Sequence, residues 1–122
     1  MRSPGSLMLA LALSASPLLS WSQVMVDDGM LVGPTGMTLY TFARDTAGSE
    51  KSACNGPCAT QWPPLIAGEK DPSANGYSVF QREDGRRQIA YKGQPLYYWS
   101  KDVKPGDKGG AGMNQVWQVA KP

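Results

Sequence analysis

One ten-residue pattern occurs twice in this chain. Gly36-Met37-Thr38-Leu39-Tyr40-Thr41-Phe42-Ala43-Arg44-Asp45 and Gly93-Gln94-Pro95-Leu96-Tyr97-Tyr98-Trp99-Ser100-Lys101-Asp102 both read glycine-x-x-leucine-tyrosine-x-aromatic-x-basic-aspartate. Trp62 and Trp117 follow the two copies at nearly the same interval, each closing its unit. Matched residue classes in one order, with a matched tryptophan downstream, are the mark of an internal duplication. Two units are too few for an open solenoid, which needs at least about three. The halves are therefore expected to pack on each other as one body.

Local patterning makes that body mainly β. Met30-Leu31-Val32 runs through the turn signal Gly33-Pro34-Thr35-Gly36 into Thr38 to Phe42, a predicted hairpin. Tyr77 to Gln81 and Arg87 to Tyr91 flank Asp84-Gly85, a second predicted hairpin. Lys92-Gly93 turns the chain into Leu96 to Ser100, and Gln115 to Ala120 is the last predicted strand. Cys58 to Trp62 suits a single helical turn that Pro63-Pro64 stops. The expected fold is a small closed β-domain, sandwich or barrel-like, built of two internal repeats with at most one or two short helical turns. Fourteen glycines and ten prolines fit many turns and few long helices.

The N-terminus reads as a targeting segment. Arg2 precedes the apolar run Leu7 to Leu13, and small residues follow as far as Ser22. A membrane anchor needs about 20 apolar residues, and Ser14, Ser16, Pro17 and Ser20 interrupt the run. Residues 1–22 are thus a predicted signal peptide, and 23–122 a single β-rich domain with repeats at about 29–76 and 85–120. Lipid attachment needs a cysteine just after the apolar run, and the only cysteines are Cys54 and Cys58. The expected product is soluble, periplasmic or secreted, with no membrane insertion after cleavage.

Composition removes several function classes. Twelve basic residues face ten acidic ones, and Arg2 leaves with the leader, so the exported chain is almost neutral. Nucleic acid is not an expected partner, because phosphate binding needs concentrated cations. With no histidine, the usual general base, the commonest metal ligand and the serine–histidine triad are missing. No Walker or dinucleotide glycine loop is present, and Asp102 to Gly110 lacks EF-hand spacing. No cofactor is expected, and any partner is a small-molecule or protein ligand in the envelope.

Few residues are left to carry chemistry. Cys54 and Cys58, with Gly56-Pro57 between them, suit a disulfide in an exported protein. Thiolates also bind soft metals, so a redox or Cu(I) role is the alternative reading of the pair. Met25, Met30, Met37 and Met113 are scattered and read as packing residues. In strands, Tyr40 and Phe42 share one face, as do Tyr97 and Trp99. These rings suit a common core; a stacking platform for a sugar, quinone or haem is the functional alternative. Asp45 and Asp102 end the two motifs where strand gives way to turn, and such aspartates commonly accept backbone N–H groups. A hydrolytic carboxylate pair is the weaker reading.

The pairs Tyr40-x-Phe42-x-x-Asp45 and Tyr97-x-Trp99-x-x-Asp102 carry a tyrosine-x-aromatic-x-x-aspartate signature. With Ser52 to Pro64, Gly93 to Tyr97 and Pro105-Gly106-Asp107, the chain resembles a bacterial family of secreted repeats, also described as predicted lipoproteins, of unknown function. The resemblance runs from about Leu31 onward. It implies secretion and a repeat, with no assigned activity. The chain departs from many relatives in lacking the lipidation cysteine. The functional expectation is a non-catalytic binding or interaction module, the alternative being a periplasmic redox or copper-handling protein using Cys54 and Cys58.

Overall fold

The computed structural model describes residues 24–69 and 75–122. The expected signal peptide (1–22) and most of the linker between Glu69 and Asn75 lie outside the described residues. Among the described residues are seven short strands: β1 (Met25–Asp27), β2 (Met30–Val32), β3 (Tyr40–Phe42), β4 (Tyr77–Gln81), β5 (Arg87–Tyr91), β6 (Gln94–Pro95) and β7 (Trp117–Val119). One helix, α1 (Pro57–Gln61), and a 3-10 turn at Met113–Gln115 complete the order of the described residues. Pro57 opens α1, where its missing N–H does no harm, and Pro63-Pro64 follow its end.

The chain is mainly β, and the β4–β5 hairpin spans the expected residues, with Val79 opposite Ile89. Lys92 and Gly93, both at positive φ, make the tight turn from β5 to β6. A hairpin not expected from the sequence joins β1 to β2 through Asp28-Gly29, again at positive φ.

The closed barrel or sandwich is not found. The described strands form two two-stranded sheets and one three-stranded sheet, and none closes. The motif strands are too short: β3 ends after three residues, because the chain turns at Asp45, whose N–H donates to the Phe42 carbonyl at 3.0 Å. The predicted hairpin from β2 to β3 is also brief. Val32 bridges Thr38, and Leu39 N–H donates to the Leu31 carbonyl, after which β3 leaves β2 and pairs with β7.

Short strands are instead joined in two matching three-way junctions. Leu31 N–H donates to Ala120, Ala120 N–H to Leu39, and Leu39 N–H back to Leu31, at 2.9–3.0 Å. In the second half, Ile89 donates to Leu65, Leu65 to Leu96, and Leu96 to Ile89, also at 2.9–3.0 Å. The third member of each junction comes from the other repeat. Leu65 lies three residues after Trp62 but serves the second repeat, while Ala120 lies three after Trp117 and serves the first. The same exchange runs through Tyr98 N–H to Pro63 and Ser100 N–H to Gln61, matched by β3 on β7 and Ala43 N–H to Val116.

The two motifs meet where the halves join, through an isolated antiparallel bridge, since the predicted strand Leu96 to Ser100 is not formed and β6 ends at Pro95. Tyr40 and Tyr97 exchange both backbone hydrogen bonds, at 2.7 and 3.0 Å, so an approximate two-fold axis passes between them. Two apolar clusters result. Leu31, Leu39, Leu65, Ile89, Leu96 and Ala120 form one. Tyr40, Phe42, Cys54, Trp62, Tyr97 and Trp117 form the other, on the axis.

Candidate functional site

The six motif residues converge on this second cluster. Phe42, Trp117, Trp62 and Trp99 form a column of rings, with successive centroids 4.2, 3.8 and 5.6 Å apart. Phe42 and Trp99 are equivalent positions at its two ends; Trp62 and Trp117 are equivalent and central. Tyr40 meets Trp62 edge-on at 5.4 Å, and Tyr97 meets Trp117 edge-on at 5.1 Å. Each aromatic pair adds about 0.5–1.5 kcal/mol beyond the area it buries. Gly109 and Gly110 lie against the Trp99 end so closely that a Cβ would fall 2.6 Å from Trp99 or 2.7 Å from Trp62.

The phenols are bonded across the axis. Tyr40 Oη–H donates to Asp102 Oδ2 and Tyr97 Oη–H to Asp45 Oδ2, each at 2.6 Å. The tyrosine of each motif therefore serves the aspartate of the other. The second carboxylate oxygens accept backbone N–H groups, Ala53 to Asp45 at 2.7 Å and Gly109 to Asp102 at 3.1 Å. The Tyr40 oxygen also accepts the Gly110 N–H, and the Ser52 hydroxyl lies 2.6 Å from the Tyr97 oxygen. Burial, reinforced by the carboxylate each phenol faces, raises Tyr40 and Tyr97 far above the ordinary tyrosine range. Burial also raises Asp45, although Tyr97, the Ala53 N–H and the Arg82 charge all favour its ionised form.

Sequence reasoning missed the polar chain behind Asp45. Arg82, 3 % exposed, donates to the Cys54 carbonyl, Gln88 Oε1, Asn55 Oδ1 and Asp84 Oδ2 at 2.8–3.2 Å. Gln88 in turn donates to the Leu96 carbonyl at 2.7 Å. The available signal was Gln88, a polar residue in the predicted strand Arg87–Tyr91, whose burial would demand partners.

Cys54 and Cys58 are joined in a disulfide. So short a loop contributes about 2 kcal/mol by chain entropy. Cys54 is fully buried and Cys58 partly exposed. Among the described residues, no group of three or more Cys, Asp or Glu side chains is placed to hold a metal. Beside the disulfide, a shallow groove of about 610 Å³ runs between α1 and the 113–116 turn, lined by Arg44, Cys58, Gln61, Asn114 and the edges of Phe42 and Trp117. Asn114 in its wall and the adjoining Gln115 both hold positive φ, 51° and 63°.

The two halves that meet here are also two matches to one family. A family model described as a secreted repeat of unknown function matches residues 22–66 and again 78–121. The chain belongs to this secreted-repeat family. No curated protein and no solved structure matches it. In this secreted-repeat protein, the first match ends just beyond Leu65 and the second just beyond Ala120. The exchanged segments are thus the last residues of each repeat. No helix among the described residues is long and apolar enough to cross a membrane.

Proposed function

We propose that this secreted-repeat protein is a non-catalytic binding module of the bacterial envelope or its surroundings, with the groove between α1 and the 113–116 turn as its ligand face. The groove carries this reading. Its volume of about 610 Å³ suits a small organic ligand, and Arg44 places one cation beside an apolar floor. The positive φ of Asn114 in the groove wall adds support, because backbone strain gathers at binding sites. A non-catalytic role is favoured because Asp45 and Asp102 are both engaged by phenols and backbone N–H groups. A stacking platform is disfavoured, since Tyr40 and Tyr97 are fully buried and Trp117 is 2 % exposed.

Titrating the labelled protein with a library of small aromatic and aliphatic acids, followed by amide NMR, tests the proposal. Shifts confined to Arg44, Gln61, Asn114 and Val116, weakened by Arg44→Gln, are expected. Substrate turnover abolished by Asp45→Asn or Asp102→Asn would refute it.

A redox or copper-handling role for Cys54 and Cys58 is the second reading, favoured by Cys58 standing in the groove wall. The disulfide potential separates the two. A structural bond lies below about −300 mV and a working pair above it.

A further inference from the structure

The buried column and its two phenols have a chemistry that a merely apolar core would not need. Indole and phenol are the ring side chains most easily oxidised by one electron, whereas phenyl is not. Three indoles in succession, Trp117, Trp62 and Trp99, end at Phe42 on one side and at the partly exposed Trp99 on the other. Trp99 is the most exposed indole of the column, Trp62 and Trp117 being 5 % and 2 % exposed, so electron exchange with the surface is favoured at its end.

A phenol loses an electron readily only if its proton has a base to go to. Tyr40 and Tyr97 are 0 % exposed, so water cannot serve. Each instead has a carboxylate oxygen 2.6 Å from its hydroxyl and an indole against its ring. Phenol, base and neighbouring indole are all present twice, related by the two-fold axis.

We propose that this cluster is a one-electron relay that draws oxidising equivalents from the surface into two buried tyrosine–aspartate pairs. A one-electron oxidant, such as an oxidising radical or a high-valent metal complex, takes one electron from Trp99 and is itself reduced by one. Trp62 refills Trp99, and Trp117 can refill Trp62. The vacancy is then filled from Tyr40 beside Trp62, or from Tyr97 beside Trp117. As the electron leaves, the phenol O–H bond breaks and the proton passes to Asp102 Oδ2 or Asp45 Oδ2. The products are the reduced oxidant, one neutral tyrosyl radical and one protonated carboxyl. A thiol or ascorbate-type reductant reverses the step by returning one electron, and the proton moves back to the phenol oxygen.

Laser flash-quench oxidation tests this on the disulfide-intact protein, with tris(bipyridine)ruthenium as sensitiser and a cobalt(III) ammine as irreversible quencher. Transient absorption should show an indole radical first and a tyrosyl radical growing from it. In Tyr40→Phe/Tyr97→Phe the tyrosyl signal should be lost and the indole radical should persist. Tyr77→Phe/Tyr91→Phe/Tyr98→Phe should retain the tyrosyl signal. The opposite pattern, with the signal lost only in the second variant, would overturn the relay. Trp99→Phe should slow the appearance of the tyrosyl radical, and an unchanged rate would count against Trp99 as the port. High-field EPR of the freeze-trapped wild-type radical needs no variant to fold. A g-tensor shifted by a hydrogen bond to the phenoxyl oxygen is expected, and that of an unbonded tyrosyl radical would refute the proposal.

Discussion

At the residue scale, the two tyrosine–aspartate bonds are alike in length and unlike in surroundings. Asp45 is 7 % exposed and Asp102 is partly exposed. Removing the Tyr97 hydroxyl leaves a buried carboxylate and the Ser52 hydroxyl short of a partner, which costs about 2 kcal/mol. Removing the Tyr40 hydroxyl leaves Asp102, a charged group, within reach of water and takes the acceptor only from the neutral Gly110 N–H, costing about 1 kcal/mol. Denaturant unfolding should therefore rank Tyr97→Phe below Tyr40→Phe in stability. The raised phenols also set an alkaline limit. Unfolded tyrosines ionise in the ordinary phenol range, while Tyr40 and Tyr97 in the folded chain do not. Stability is thus fully present below that range and lost as pH rises through and beyond it. On alkaline titration, the tyrosinate absorbance of these two residues should appear together with the loss of near-ultraviolet circular dichroism, not before it.

At the element scale, the motif glycines decide how each copy enters its strand. Gly36 and Gly93 both hold positive φ, 89° and 81°, which side chains adopt at a cost. Their surroundings differ. A Cβ on Gly93 would fall 2.6 Å from the Gly48 backbone nitrogen, whereas one on Gly36 would meet only the Pro105 side chain at 3.1 Å. Backbone cannot yield as a ring edge can. Gly93→Ala should cost about 2–3 kcal/mol and Gly36→Ala about 1 kcal/mol, and thermal unfolding of the two variants measures the order.

At the scale of the whole molecule, the exchange of end segments makes the repeats interdependent. Each three-way junction lacks its third member if one repeat is removed, because Leu65 and Ala120 are bonded to the opposite half. The Trp62–Trp117 contact at 3.8 Å also has one ring from each repeat. A fragment spanning residues 23–76 should consequently show no near-ultraviolet circular dichroism by itself. Mixing it with a fragment of residues 77–122 should restore the signal.

The amino-acid sequence by itself determined the duplication, the β character, the β4–β5 hairpin and the helical turn at α1. Each of these rests on spacing or on turn residues within a few positions of one another. It also marked Tyr40, Phe42, Asp45, Tyr97, Trp99 and Asp102 as equivalent sets, because their order repeats. Tertiary structure alone decided that Tyr40 bonds Asp102 and not its own Asp45, that Leu65 and Ala120 change halves, and that none of the described sheets closes. The groove was invisible for the same reason, being formed where α1 and the 113–116 turn face each other across the axis. Matched halves carry the same local signals whether their ends stay home or cross over. Only the packing of rings and junctions distinguishes the two arrangements.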